Sequence, residues 1–264
     1  MKTIVAKLGT ALMALCFSVA FNANADTITA SRNSGDGFAS GSVTLNWRVT
    51  DINKGGTSAV GLFKMKLESG DVDPILLTGD EFYAFCIDLE QNLVNSSTTY
   101  DVVELKDGRA PSPSIGPDRA QLIQAVLASA NFTNFGVAPG SNIISAAIQV
   151  AIWEVVYETL DANPFATVFN ARTGNAFFGQ KSSGDQNGTA TSVLNLANSY
   201  LAGISSTKLV QDLRAMNSTL PKGSQDLLIQ VQPGSVPEIP EPGTIGLLGF
   251  GLVVIGMFRK RISA

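Results

Sequence analysis

One stretch decides how this sequence folds: residues 145–153 read SAAIQVAIW. It belongs to a run from about Asn142 to Thr159 that follows Gly140 and Ser141, and we predict a helix over that run. Gln149 is the one glutamine in this otherwise apolar helix, so its side chain is predicted to be buried. A buried carboxamide without a hydrogen-bond partner costs about 1–3 kcal/mol. Another segment must therefore supply that partner.

Strand patterns precede this helix, and further helix patterns lie on either side of it. Blocks of strands and then helices favour an α+β fold over an alternating parallel sheet. We predict a β-rich sandwich or barrel-like lobe followed by a helical lobe. The predicted elements are strands at 42–49, 59–67, 81–89 and 99–105, helices at 118–130, 142–159 and 187–204, and a closing strand at 227–231.

Composition divides the chain into five segments, one of which is long enough to bury a core of its own. That segment is the domain, and the others are short and biased in composition. In chain order they are a signal peptide (1–25), a Ser/Gly/Asn-rich flexible lead-in (26–39), the domain (40–232), a Pro/Glu linker with a sorting motif (233–243), and a short hydrophobic helix with a basic tail (244–264).

The first segment has the three parts of a secretory signal. Lys2 and Lys7 give a positive start, and residues 8–21 form an apolar run. Ala23 and Ala25 then fit the small-x-small cleavage rule, so we predict cleavage after Ala25. The alternative is an uncleaved anchor, but the apolar run is shorter than the roughly 20 residues that a membrane span requires.

The last segment is an uncharged apolar run, Ile245–Phe258, followed by Arg259, Lys260 and Arg261. Fourteen helical residues reach about 21 Å, short of a hydrocarbon core of about 30 Å. Basic residues after an apolar run favour retention on the cytoplasmic side. We therefore predict transient membrane anchoring during processing, with an ordinary C-terminal anchor as the alternative.

A stiff acidic stretch, residues 236–243, precedes the apolar run and contains Pro240-Glu241-Pro242. Pro-Glu-Pro, a short apolar helix and a terminal basic cluster together resemble the PEP-CTERM sorting signal of exported proteins in Gram-negative bacteria. The resemblance covers about residues 237–261. It implies processing by an exosortase, a membrane transpeptidase, at or near this tripeptide, and association with extracellular polysaccharide and biofilm matrix.

Composition excludes several classes of function. The chain has no histidine, which removes Ser-His-Asp and Cys-His catalysis and the usual zinc ligands. All 22 acidic residues lie between Asp26 and Glu241. Of the 18 basic residues only 13 do, so this part carries a net charge of −9. An acidic surface argues against a nucleic-acid partner. We expect no metal and no cofactor.

The predicted mature chain has a single cysteine, Cys86, because Cys16 lies in the signal. Cys86 falls within the apolar strand FYAFCID, residues 82–88. A cysteine sulfur held against a glutamine carboxamide can displace ammonia and leave an internal thioester, which an outside amine or hydroxyl can open. A buried structural cysteine is the default for such a residue, but an unpaired cysteine in an exported chain requires an explanation.

These two segments resemble the thioester domains of bacterial surface adhesins. In that family an aromatic-Cys segment on an early strand pairs with a Gln-x-Ala-aliphatic-Trp segment on a later helix. Residues 85–88 and 149–153 match these segments, although the family's frequent Thr before the Gln is Ile148 here. The resemblance implies a Cys86–Gln149 thioester. Its supporting pocket would comprise Phe85, Asp88, Ala151 and Trp153.

Together these observations predict an exported cell-surface or matrix adhesin that attaches covalently to a nucleophile. It would be a self-modifying, single-turnover acyl donor rather than an enzyme. Its target would be a surface amine or a polysaccharide hydroxyl, and the residues do not choose between them. The main alternative is a non-reactive structural matrix protein with the same sorting tail. A carboxylate-dependent polysaccharide hydrolase using Glu154 and Glu158 is a third class, although a solvated helix face explains that pair better.

We predict that Gly243–Ala264 is absent from the mature surface form. The apolar run is short for a permanent span, and each of its glycines weakens a helix by about 1 kcal/mol relative to alanine. Mass spectrometry of the C-terminal peptide from secreted protein should find a terminus near Pro242. Replacing Pro240-Glu241-Pro242 with alanines should abolish that terminus, whereas recovery of Ile262–Ala264 on extracellular protein would refute processing.

Overall fold

A six-stranded antiparallel barrel forms the larger of two sheets in the computed structural model. The structure describes residues 26–33, 37–70, 75, 77, 79–109, 114–179, 188–219 and 224–232. The barrel strands, in spatial order, are β1 (Asp26–Arg32), β4 (Phe63–Gly70), β5 (Glu81–Cys86), β9 (Leu227–Gln230), β8 (Leu213–Ser218) and β6 (Thr98–Glu104). Pairing of β1 with β6 closes the barrel, so none of these strands is left as an edge.

Alternation of side chains explains why these segments are strands. On β6, Thr98, Tyr100 and Val102 are buried, while the residues between them are partly exposed. On β1, Ile28 and Ala30 are likewise buried. Successive side chains on a strand point to opposite faces, so this alternation places one face of each strand against the core.

A smaller three-stranded sheet lies beside the barrel, with β2 (Val43–Val49) between β3 (Lys54–Val60) and β7 (Ala176–Gly179). Three helices pack among the sheets: α1 (Gly116–Ser129), α2 (Asn142–Tyr157) and α3 (Thr189–Ala202). Short 3₁₀ turns occupy Leu105–Asp107 and Pro164–Ala166. Helix α2 is central, because it contacts both other helices and strands of both sheets.

Helix α2 is buried on every side. Ser141 caps its N-terminus by accepting a hydrogen bond from the Ile144 main-chain N–H, which satisfies one of the donors that a helix start leaves unpaired. Every residue from Ser145 to Tyr157 is buried. A helix that is apolar around its whole circumference has no solvent face and must lie inside the fold.

The α+β fold and the β-rich lobe are confirmed, and the lobe is a barrel. The lead-in predicted at 26–39 as flexible is wrong in its first half: residues 26–32 form β1, because alternating Ile28 and Ala30 pair into the barrel between β4 and β6. The predicted strand at 59–67 is instead the end of β3 and the start of β4, separated at Gly61-Leu62.

The helices do not form a separate C-terminal lobe. Strands β7, β8 and β9 follow them in the chain and return to the two sheets. The predicted closing strand at 227–231 corresponds to β9. Two strands were not predicted: β7, which has only four residues, and β8, whose LRAMNS sequence has no β-branched residue.

Gln230 on β9 holds the loop that follows α1 against the barrel. Its amide oxygen accepts from the Phe135 main-chain N–H at 3.0 Å, and its amide nitrogen donates to the Thr133 carbonyl at 3.2 Å. Phe135 in turn packs edge-on against Phe85 of β5, with ring centres 5.7 Å apart. One side chain therefore supports the residue that precedes Cys86.

We predict that Gln230→Met lowers the free energy of unfolding by about 1–3 kcal/mol, because it keeps the side-chain volume but leaves the buried Phe135 N–H without an acceptor. Denaturant unfolding measures the loss. The matched control is Gln121→Met on the exposed side of α1, which should change stability by less than about 0.5 kcal/mol. Equal effects of the two substitutions would contradict this role for Gln230.

Candidate functional site

Cys86 is the last residue of β5, and its side chain is buried. It pairs with Leu227 on the adjacent strand β9. One step further, the Ile87 main-chain N–H donates to the Asp226 carbonyl at 3.1 Å. Because β5 and β9 run antiparallel, the residues after Cys86 lie beside those just before Leu227. This pairing brings residues 224–226 to the thiol.

The Gln149 carboxamide forms hydrogen bonds with both main-chain polar groups of Cys86. Its oxygen accepts from the Cys86 N–H at 2.8 Å, and its nitrogen donates to the Cys86 carbonyl at 2.7 Å. The side chain has no solvent exposure. The partner that the sequence requires for this buried amide is therefore the β5 backbone at Cys86.

A second glutamine lies at the sulfur itself. The Cys86 thiol donates to the Gln225 amide oxygen at 2.7 Å, and the Gln225 amide nitrogen donates to the Asp88 carbonyl at 2.7 Å. The amide carbon lies about 1.2 Å from its oxygen, so it is within about 3.9 Å of the sulfur. Reacting atoms in a near-attack arrangement are about 3–3.5 Å apart, so only a small movement separates the two.

The structure places Gln149, the predicted partner of Cys86, against the Cys86 backbone, but the amide oxygen that contacts the sulfur belongs to Gln225. Gln225 was not predicted as a site residue, because it lies in a polar segment, Ser224-Gln225-Asp226, and has no apolar neighbour to mark it as buried. The available signal was its position, two residues before the closing strand.

Electrostatics keep the thiol protonated. Burial is the main cause that raises the pKa of Cys86 well above its usual value; Asp88 and Asp226 raise it further, and Arg32 opposes them. Asp226 has its own pKa raised to about 6, mainly by burial, although its carboxylate accepts a hydrogen bond from the Ser218 N–H. A free thiolate is therefore not the resting state of this site.

Asp88 and Tyr157 fasten the end of α2 to the segment after β5. The Tyr157 hydroxyl accepts from the Leu89 N–H at 3.0 Å and donates to the Asp88 carboxylate at 3.3 Å. Burial raises the pKa of Asp88, and the hydrogen bond from the Glu90 N–H acts against that shift. Together with Gln149, these contacts fix β5 to α2 at two points.

A cavity of about 190 Å³ opens beside the thiol. Its wall includes four buried residues around the thiol: Cys86, Gln149, Gln225 and Trp153. The wall also comprises the buried Phe38, Gly61 and Phe63, and Arg32, Thr57, Ser58, Ala59, Asn92 and Leu93. Volumes of 300–1,000 Å³ are usual for pockets that hold drug-sized ligands, so this cavity suits one small group.

The predicted supporting residues divide between two sides of Cys86. Phe85, Asp88, Ala151 and Trp153 are all buried, but only Trp153 lines the cavity. Phe85 faces the other way, packing against Phe132 and Phe135. The expected pocket beside both Trp153 and Phe85 is therefore wrong for Phe85, because alternation on β5 sends it to the opposite face from Cys86.

Trp153 stacks on Phe178 of β7 with the ring planes 11° apart. Its indole N–H is buried and finds no acceptor among the residues that the structure describes. Within the same residues, no three metal-ligating side chains cluster together. No helix there is long and apolar enough to cross a membrane.

The comparisons with known proteins concern the C-terminal tail. Residues 238–261 match the model of the PEP-CTERM protein-sorting motif. The motif indicates export, exosortase-dependent sorting and association with the cell surface. No curated protein and no solved structure shows a significant match to the chain. The predicted sites at Ala23 and Ala25, and at Pro240-Glu241-Pro242, lie outside the described residues.

Glu154 follows Trp153 on α2, and its position contradicts the solvated helix face predicted for Glu154 and Glu158. It has no solvent exposure. One carboxylate oxygen accepts from the Asn170 N–H at 3.0 Å, and the other has no partner among the described residues. Burial raises the pKa of Glu154 to about 8, so this carboxyl group is largely protonated at neutral pH.

We predict that stability falls as pH rises from about 4.5 to about 8. The folded state holds the Glu154 proton more tightly than the unfolded chain, so its contribution is complete below pH 4.5 and is lost as pH passes the folded pKa. Glu154→Gln keeps an acceptor for Asn170 and should flatten this slope in melting temperature against pH. Glu104→Gln, at a carboxylate that is 57% exposed, is the control. An unchanged slope in Glu154→Gln would contradict the assignment.

Proposed function

We propose that this protein is a surface adhesin that attaches covalently to its target through an internal thioester, formed by Cys86 with Gln225 as the acyl donor. The observation that carries the proposal is the 2.7 Å contact between the Cys86 sulfur and the Gln225 amide oxygen in a buried site. The contact needs neither histidine nor metal, consistent with a chain that has no histidine.

Bond formation requires the sulfur to attack the Gln225 amide carbon. The S–C bond forms, the C–N bond breaks, and the thiol proton leaves with the amide nitrogen as ammonia. The thiol already donates its hydrogen bond to this amide, so the proton has a short path and no free thiolate is needed. Burial then protects the product, because a thioester exposed to water hydrolyses.

Two neighbours hold the reactants in place. The Asp88 carbonyl accepts from the Gln225 amide nitrogen, which orients the amide with its oxygen toward the sulfur. Gln149 fixes the Cys86 main chain on both sides. In this proposal Gln149 is a positioning residue, since it contacts the backbone of the nucleophile rather than its sulfur.

A second pairing, between Cys86 and Gln149, follows from the resemblance to adhesin thioester domains. In the structure both ends of the Gln149 amide are used by the Cys86 backbone. Reaction at Gln149 would sacrifice two buried hydrogen bonds, each contributing about 0.5–1.5 kcal/mol. Reaction at Gln225 also ends two hydrogen bonds, the one from its amide nitrogen and the one that the thiol donates to its oxygen, but its amide group already lies against the sulfur. Geometry therefore favours Gln225.

The C-terminal sorting motif indicates where the proposed attachment would take place. Exosortase-dependent sorting to the cell surface suits a protein that holds a target outside the cell, and we infer a Gram-negative surface or biofilm matrix as its location. The competing function is a non-reactive structural matrix protein in which Cys86 is a small buried hydrophobe. A hydrolase using Glu154 and Glu158 is disfavoured, because Glu154 is sealed within the core.

We predict that the purified protein is lighter than its sequence by one ammonia. Intact mass spectrometry should show the deficit, and Cys86→Ala or Gln225→Ala should each abolish it. Gln121→Ala, at an exposed helix position, should leave the deficit intact. An unmodified mass in the parent protein would favour the structural alternative.

Methylamine distinguishes the two glutamines, because it opens a thioester and remains as an amide on the acyl donor. We predict that the label appears on the peptide containing Gln225. Gln149→Met should slow bond formation, since the Cys86 backbone loses both partners, without moving the label. A label on the peptide containing Gln149 would restore the original pairing.

A further inference from the structure

Strand β3 is an edge strand of the smaller sheet. It pairs with β2 over its whole length, from Lys54 to Val60, and on its other side it has no strand neighbour among the described residues. Residues 54–57 and Ala59 are exposed. The main-chain groups of an exposed edge strand can pair with another chain.

The hydrogen-bond pattern of the smaller sheet shows which main-chain groups face outward. Facing residues of an antiparallel pair alternate between exchanging hydrogen bonds and exchanging none. The Phe178 N–H of β7 donates to the Ala171 carbonyl at 2.8 Å, so the pair that Phe178 forms with Trp47 of β2 is not hydrogen-bonded. Trp47 therefore turns its main-chain groups the other way, toward Gly56 of β3.

Alternation from Gly56 gives the groups on the free edge of β3. Gly56 and Ser58 face β2, so Gly55, Thr57 and Ala59 direct their N–H and carbonyl groups away from it. Within the described ranges, no main-chain hydrogen bond reaches these outward groups. Residues 55–60 read GGTSAV, with no charge, no proline and no break in register. The edge therefore lacks the features that usually prevent pairing with another strand.

The same edge borders the cavity beside the thiol. Thr57, Ser58 and Ala59 all line that cavity. Successive side chains of a strand point to opposite faces, so a wall that includes three residues in a row meets the strand along an edge rather than on one face. Because β2 covers one edge, the cavity meets the free one. A chain paired with Thr57 and Ala59 would lie beside the cavity that Cys86 lines.

This geometry favours a polypeptide target over a polysaccharide. The outward row of N–H and carbonyl groups is matched by the main chain of an extended peptide, which can add to a sheet as a further strand. A sugar chain has no such row. At about 190 Å³ the cavity accommodates one side chain of an added strand rather than the strand itself. Lysine carries a primary amine on a long flexible stem, which suits a nucleophile that must enter a cavity from the side.

We propose that the free edge of β3 is the docking surface for the target, a polypeptide that adds an extended segment to the smaller sheet and directs a lysine side chain into the cavity. This inference rests on the proposed thioester between Cys86 and Gln225. The neutral amine nitrogen attacks the acyl carbon of residue 225. A C–N bond forms, the C–S bond breaks, and one amine proton passes to the departing sulfur, so an amide and a free Cys86 thiol result.

The test compares three acceptors on the exported protein: the synthetic peptide acetyl-TVTKTVT-amide, N-acetyl-lysine methylamide as a single amine, and maltohexaose as a saccharide. Intact mass records the adducts over time at neutral pH. We expect the peptide adduct to form about tenfold faster than either other adduct, as two main-chain hydrogen bonds allow.

Two changes test the edge itself. N-methylation of alternate peptide residues blocks the N–H groups on one side of the strand, so one alternate set should reduce the rate to that of the single amine and the other set should not. Ala59→Pro removes an outward N–H, which an edge strand tolerates, and should reduce the peptide rate about tenfold. Ala59→Ser keeps that N–H and should keep the rate.

Equal rates for the two methylated peptides would overturn the proposal, and so would faster modification by maltohexaose than by the peptide. A parent protein that is a dimer on size-exclusion chromatography and becomes a monomer in Ala59→Pro would also overturn it, because a second copy would then occupy the edge.

Methylamine labelling of each variant shows whether its thioester is present, so loss of docking is separated from loss of folding. If the parent protein lacks the ammonia deficit, the thioester itself fails, and fluorescence anisotropy of the labelled peptide tests docking alone. Weaker binding to Ala59→Pro than to Ala59→Ser would then support the edge as the docking surface, and equal binding would overturn it.

Discussion

The reciprocal pair of hydrogen bonds between the Gln149 carboxamide and the Cys86 backbone is the contact on which the site depends. It joins helix α2, which is buried from Ser145 to Tyr157, to a barrel strand at the point where that strand ends. Helix α2 offers few other polar groups in this part of its length, and the pairing of β4 with β5 ends at Ala84. Without the carboxamide, the N–H and carbonyl of Cys86 would be buried without partners, and the thiol would have no fixed position relative to Gln225.

The surroundings of that pair show how a mainly apolar core can carry a polar cluster. Cys86, Asp88, Gln149 and Gln225 satisfy one another or the nearby backbone. Asp226 and Tyr157 extend the cluster to neighbouring segments. On α2, the exceptions among the described residues are the Trp153 indole and one oxygen of Glu154, which belong to consecutive residues. Buried polar groups stabilise one specific arrangement of the core when they are fully hydrogen-bonded, and they destabilise the fold when they are not.

The sequence predicted the helix and the burial of Gln149 because both follow from an apolar run with a single carboxamide. It also predicted that Cys86 and Gln149 would meet. It did not reveal Gln225, whose burial comes from long-range pairing of β5 with β9, or the role of β1, whose Ser- and Thr-rich composition hides alternating Ile28 and Ala30. The inward position of Glu154 was missed for a related reason: a carboxylate four residues from another looks like a solvent face unless the packing of the whole helix is known.

Gln225 lies only two residues before β9, and the described chain ends at Gln232, just beyond that strand. A target held at residue 225 would therefore be joined to the C-terminal tail through one short strand. Pulling on the target would load β9 in shear against β5 and β8, its two antiparallel neighbours, while the helices and most of the barrel would lie off the line of force. The mechanical strength of such an attachment would be set by a few main-chain hydrogen bonds on either side of β9, not by the stability of the domain as a whole.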